Sequence, residues 1–162
     1  VSAEVVVETV TDNMLGKLKS AGGAAAPKPV LLVESVFRSA VLMSRVFREL
    51  DLLDQLAISM DCENALVRLR QSGAGRPRLI LLDSDMPRMS AASFLEVVKE
   101  DRELRIVPVV VLADSHDAGE VGRYYGLGAA GYMVKAGDYT DVLEKMRALC
   151  AYWMLSRSPV MY

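Results

Sequence analysis

The stretch Leu79-Ile80-Leu81-Leu82-Asp83-Ser84-Asp85-Met86-Pro87 constrains the fold more than any other part of the chain. Four apolar residues in a row, with no polar alternation, read as a strand covered on both faces, the setting of a central strand in a parallel sheet. Pro87 has no backbone N–H for a ladder, so the strand ends and a loop opens there. The two acids then stand at the carboxyl end of the strand, where open α/β sheets place their ligand crevices. A carboxylate at that rim suits a nucleophile that accepts a phosphoryl group, a metal ligand, or both.

The surrounding sequence supplies the alternation such a sheet needs. Val30 to Glu34 reads as a first strand, with Phe37, Val41, Ser44, Phe47 and Leu50 following at helical spacing. Gln55 to Met60 reads as a more polar strand suited to an edge. A helix over Glu63 to Gln71 is closed by Ser72-Gly73-Ala74-Gly75. After Leu79 to Asp83 come a helix from Ala91 to Glu100 and a valine-rich strand from Val107 to Leu112. A helix from Ala118 to Tyr125 stops at Gly126 and Gly128, and Gly131 to Val134 forms a short strand. The last helix runs from Tyr139 to Trp153, with Leu143, Met146, Cys150 and Trp153 on one stripe. Five strands alternating with five helices, joined by right-handed crossovers, predict an α/β fold: a doubly wound, flavodoxin-like, five-stranded parallel sheet of order 2-1-3-4-5 with helices on both faces.

Residues 1–28 stand apart from this pattern. Val6, Val10, Met14 and Leu18 share helical spacing, and Gly22-Gly23-Ala24-Ala25-Ala26-Pro27 reads as a linker. The expected organisation is an N-terminal extension and linker over 1–28, one domain over 29–153, and a C-terminal tail over 154–162. A chain of 162 residues has room for one sizeable core. Its net charge of −2 offers no electrostatic footprint for nucleic acid. No apolar run approaches the ~18 residues of a membrane span, and Val1-Ser2-Ala3-Glu4 lacks the basic region of a secretory signal. Cys62 and Cys150 are too few for a disulfide framework and read as buried thiols in a reducing cytoplasm.

In the predicted topology the carboxyl ends of four strands converge on one crevice. Strand one ends in Glu34-Ser35, strand three in Asp83-Ser84-Asp85, strand four in Ala113-Asp114-Ser115, and strand five in Lys135. Carboxylates gathered this way repel one another and become tenable when a divalent cation or an ammonium sits among them. A single Lys–Asp contact at ~4 Å contributes at most ~4 kcal/mol of Coulomb energy before desolvation.

These residues carry a family resemblance. The region from Pro29 to about Trp153 resembles the receiver domain of two-component response regulators. The marks are the acid ending strand one (Glu34), Asp83-x-x-Met86-Pro87, the strand from Pro108 to Leu112, and Gly131-Tyr132 followed by Lys135. The run Tyr152-Trp153-Met154-Leu155, with Pro159 beyond, is similar to stand-alone regulators that partner phytochrome-type histidine kinases. The resemblance implies that Asp83 is the phosphoacceptor, loaded from a kinase histidine, and that Mg²⁺ and Lys135 neutralise the acyl phosphate. It implies that Glu34 and Asp83 hold the metal, that the backbone carbonyl of Asp85 meets it, and that Tyr132 is the aromatic that changes rotamer on activation.

Departures from the family pattern fall in the same pocket. The family usually has two adjacent acids after strand one, and here Ser35 takes the second place; a neutral hydroxyl is a poorer ligand for a hard cation, so Mg²⁺ is expected to be held weakly. The family has Thr or Ser at the end of strand four, whose hydroxyl binds the phosphoryl group; Ala113 has no donor to offer. Asp114 stands where a small or neutral residue is usual, and Ala136 follows Lys135 in place of the common Pro. His116 reads as an exposed or capping residue, and Tyr152 and Trp153 as packing or interface residues.

The expected function is a single-domain receiver in a phosphorelay, a signalling module rather than an enzyme. A histidine kinase loads Asp83, and the new charge shifts the surface of the fourth helix, fifth strand and last helix. With no DNA-binding or catalytic domain after the last helix, output is expected through a downstream protein or a homodimer, with Trp153 to Tyr162 as the apolar surface. The alternative is a degenerate pseudo-receiver, a phosphorylation-independent interaction module in which Lys135 pairs permanently with Asp83. A remote alternative is a haloacid-dehalogenase-type phosphatase, whose signature Asp83-x-Asp85 also matches. That family follows the second Asp with small residues and carries a later acid pair, and neither is present.

Overall fold

The computed structural model describes residues 29–156. The helix and linker expected within residues 1–28, and the tail beyond Ser156, lie outside the described residues. Five parallel strands, β1 (Val30–Val33), β2 (Leu56–Ser59), β3 (Leu79–Asp83), β4 (Val109–Ala113) and β5 (Gly131–Val134), form one sheet in the order β2-β1-β3-β4-β5. This is the expected flavodoxin-like order. Every residue of β1, β3 and β4 is buried, which is why these runs carry no polar alternation. The two edges are β2 and β5, and all four β5 residues are only half-buried.

The helices are α1 (Phe37–Glu49), α2 (Cys62–Gln71), α3 (Ala91–Glu100), α4 (Ala118–Gly126) and α5 (Tyr139–Leu155). Four of them start on a side-chain cap: Asp61, Ser90, Asp117 and Asp138 accept the backbone N–H of Asn64, Ser93, Glu120 and Asp141. Each cap satisfies one orphan donor of a first turn. Helix α1 has no such cap at Val36, and the Glu34 carboxylate accepts the Val36 N–H instead, at 2.9 Å. The alternation along the strands separates two cores. Ile80, Leu82 and Val111 face Phe94, Leu95 and Tyr124 on one side. Leu79, Leu81, Val110 and Leu112 face Phe47, Met146 and Cys150 on the other.

Two local expectations are corrected. On α1 the apolar spacing through Phe37 and Val41 does not mark the core face: these residues are 75% and 51% exposed, and Ala40, Met43, Val46 and Phe47 are buried. Phe47 and Leu50 of the expected stripe are buried, so the departure lies at its start, in Phe37 and Val41. Helix α5 continues past Trp153 to Leu155, because Met154 still packs into the second core. Part of the apolar run assigned to a tail surface is therefore core, while Tyr152 and Leu155 stay exposed.

Candidate functional site

Strand register brings the four strand ends level. Val33 pairs with Leu82, Asp83 with Leu112, and Ala113 with Val134. One further ladder bond extends three of the strand ends. The Glu34 N–H donates to Ser59 C=O (3.1 Å), Ser84 N–H to Leu112 C=O (2.8 Å), and Lys135 N–H to Ala113 C=O (2.7 Å). Glu34, Asp83 and Lys135 thereby reach one crevice at the carboxyl edge, as their places in the sequence predict.

Within it the Lys135 ammonium hydrogen-bonds Asp83 Oδ2 and lies 3.7 Å from both Glu34 Oε2 and Asp114 Oδ1. Asp83 Oδ1 accepts the backbone N–H of Asp85 at 2.7 Å. Glu34 and Asp83 are only 1% and 5% exposed, so their charges are poorly solvated. Burial, with a hydrogen bond to Asp83 and the Asp83 charge, pushes Glu34 up to about 7. Burial pulls the Lys135 ammonium down, but the Asp83 hydrogen bond and the charges of Asp83, Glu34 and Asp114 outweigh it and leave its pKa raised. One ammonium holds two buried carboxyls together.

The remaining sites of interest are spread around this centre. Ser35 is half-buried at the start of the β1–α1 loop, and Asp85 is exposed, with its N–H turned to Asp83. Ala113 is buried at the end of β4. Tyr132 donates its hydroxyl to Ser115 C=O at 2.9 Å, tying β5 to the loop after β4, and its ring lies 6.0 Å from that of Tyr124. Burial, with the nearby Glu120 charge, pushes the Tyr132 phenol up to about 12. His116 is exposed, and Asp117 rather than His116 caps α4. The Cys62 and Cys150 thiols are free and buried, and burial pushes both up to about 12.

Three supporting residues are absent from the sequence-based picture. Lys145 on α5 donates to Val134 C=O (3.0 Å) and Ala136 C=O (2.9 Å), gripping the backbone on either side of Lys135. Tyr124 on α4 sends its hydroxyl toward Ser84 C=O at 3.5 Å. Arg88, left-handed at φ +60°, pairs with Asp61 (3.1 Å) and Glu63 (3.6 Å), fastening the loop after β3 to the start of α2. The only signal for Arg88 is its place in the loop opened by Pro87; Lys145 and Tyr124 give none, because their partners are backbone carbonyls on other elements.

The donor set bears on a metal. Among the described residues no three His, Cys, Asp or Glu side chains gather closely enough to hold one. Glu34 and Asp83 supply the buried carboxylates, and a cation coordinated by them would need further oxygen ligands and water to complete its shell. Mg²⁺ accepts such a set, since it is commonly held by one or two carboxylates and keeps several waters. Among the described residues no helix is long and apolar enough to cross a membrane.

Comparison with known proteins agrees with the geometry. The chain is 30% identical over 132 residues to the response regulator Rcp1 of Synechocystis sp., spanning 79% of this chain and 90% of the relative. The crystal structure of the phosphorylated cyanobacterial phytochrome response regulator RcpA matches with a TM-score of 0.74 at 26% identity, over 83% of this chain and 100% of that one. The Mn²⁺-bound form of Rcp1 matches with a TM-score of 0.69 at 29% identity, over the same shares of 83% and 100%. No protein-family model matches the chain. With its sheet order, its acid pocket and these relatives, the chain belongs to the response regulator receiver family of two-component signalling.

Proposed function

We propose that Asp83 accepts a phosphoryl group from the phosphohistidine of a histidine kinase, and that the charged domain signals by protein contact. The observation that carries this reading is the Lys135 ammonium held on Asp83 beside Glu34 in a buried crevice. An Asp83 oxygen attacks phosphorus; an O–P bond forms as the donor N–P bond breaks, and its electron pair returns to the imidazole nitrogen. Lys135 stays beside the new phosphoryl oxygens and offsets their charge. Mg²⁺, when bound, supplies further charge neutralisation for the transferring group. Glu34, Asp83 and the Asp85 carbonyl would hold it, with Ser35 leaving that hold weak. The relative RcpA, crystallised in a phosphorylated form, and Rcp1, crystallised with Mn²⁺, support the reading.

In this proposal residues 29–153 are the receiver domain, and the domain is a switch rather than an enzyme with its own turnover. The compartment is the cytoplasm, in keeping with two free thiols. The output partner, a second protein or a second copy of the chain, meets the side built by α4, β5 and α5, where Tyr125, Tyr152 and Leu155 are exposed. Tyr132 takes part by exchanging its bond to Ser115. The second reading, a receiver that no longer accepts phosphate, rests on Ala113, which offers no hydroxyl, and on the pairing of Lys135 with Asp83.

Intact mass after incubation with acetyl phosphate, with and without Mg²⁺, tests the proposal on the native chain and on Asp83→Asn. The expected result is a Mg²⁺-dependent gain of one phosphoryl group that Asp83→Asn lacks. A folded native chain that gains none is the phosphorylation-independent module.

A further inference from the structure

We propose that the Tyr124 hydroxyl supplies the hydrogen bond to the phosphoryl group that Ala113 cannot. This rests on the reading of Asp83 as phosphoacceptor and names an additional residue for that reaction. Asp83 pairs with Leu112, and Ser84 N–H donates to Leu112 C=O, so Ala113 lies beside Asp83 and Ser84 at the end of the neighbouring strand. A methyl side chain there leaves the acid pocket without a neutral donor on that side. Tyr124 approaches the same place from α4. It is 4% exposed, and its hydroxyl reaches the carbonyl of Ser84, the residue next to the phosphoacceptor.

That contact is long. At 3.5 Å it falls well outside the usual 2.7–2.8 Å for O–H···O, so the bond is weak and the O–H can turn to a stronger acceptor while the buried ring holds its place. A phosphoryl oxygen is such an acceptor, because bonds to charged groups are shorter and about twice as strong. Burial, with the Glu120 charge, keeps the phenol pKa raised, so the group remains a donor at neutral pH. The Asp114 carboxylate projects into solvent beside this point and repels a phosphoryl group, which raises the value of a neutral donor there. The ring is positioned by Tyr132, 6.0 Å away at 44°, which is itself bonded to Ser115. Movement of the Tyr124 hydroxyl away from Ser84 would then carry the state of Asp83 to α4 and β5.

The test is the rate of phosphoryl uptake from acetyl phosphate with Mg²⁺, and the lifetime of the adduct. It compares the native chain, Tyr124→Phe, and Tyr124→Phe combined with Ala113→Ser. Loss of one charge-assisted hydrogen bond predicts uptake slowed about tenfold in Tyr124→Phe, with unchanged folding by circular dichroism. Uptake should return toward the native rate in the double variant, because a hydroxyl stands again beside Asp83. Native uptake with an equal rate in Tyr124→Phe overturns this proposal and leaves the phosphoacceptor reading intact. Slowed uptake that Ala113→Ser does not recover also overturns it, since Tyr124 would then act through packing alone. A native chain without any adduct overturns both. Should Tyr124→Phe not fold, Ala113→Ser in the native chain decides. A gain below twofold supports a donor already in place, and a gain of tenfold overturns it.

Discussion

Glu34 is the residue on which burial and charge pull hardest against each other. It follows β1, accepts the Val36 N–H ahead of α1 and sits beside Asp83 with almost no exposure. Its pKa rises from 4.5 to about 7, so across that interval the native chain holds a proton that the unfolded chain has released. Stability therefore falls as pH rises from about 4.5 to about 7, and the loss is complete above that range. Thermal unfolding without divalent metal at pH 5 and pH 8 should show this decline in the native chain, and Glu34→Gln should flatten it. Lys135 is the counterpart. Lys135→Met leaves two buried carboxyls without their ammonium, and urea unfolding at pH 8 should show a loss of about 3 kcal/mol. The loss should shrink at pH 5, where Glu34 is neutral. The sequence places both residues at the rim, but the raised pKa of Glu34 follows from burying two carboxyls side by side, 1% and 5% exposed, which no local pattern encodes.

At the scale of elements, the turn into α5 shows how the lysine is held. Asp138 and Asp141 form a reciprocal capping box, each side chain accepting the other's N–H at 3.0 Å. Gly137 precedes it at φ +122°, and a Cβ there would lie 2.8 Å from Asp141 Cβ. Asp138→Ala should cost about 1 kcal/mol, the usual worth of a cap. Gly137→Ala should cost more than ~1 kcal/mol, because both the conformation and the space exclude it. Denaturant midpoints at constant slope would check both. Strands and most helix limits are legible, since β1, β3 and β4 are continuous apolar runs and three of the four capped helices open on Asp. The face of α1 is not legible: Phe37, Val41, Ala40 and Met43 are all apolar, and only packing against the sheet and α5 selects which pair is buried.

For the whole molecule, the sheet order brings charges from four separate strand ends to one edge, and a single substitution there should change what the domain binds. Ser35→Asp restores the second acid of the family pattern and should raise Mg²⁺ affinity about tenfold. It would be read as a larger rise of unfolding temperature across a Mg²⁺ titration. An unchanged titration would mean that Lys135, already bonded to Asp83, keeps the cation out.

The sequence by itself determined the parallel α/β sheet, its order, and the meeting of Glu34, Asp83 and Lys135. Those follow from the strand-end residues and the apolar character of each strand, readable along the chain, once the general right-handedness of crossovers has narrowed the choices. Tertiary structure alone decided the raised pKa of Glu34, the buried face of α1, the grip of Lys145 on the backbone around Lys135, and the approach of Tyr124 to Ser84. Each of these depends on contacts between separate elements packed together in space. Burial and through-space bonding, rather than residue type or spacing, set their energies.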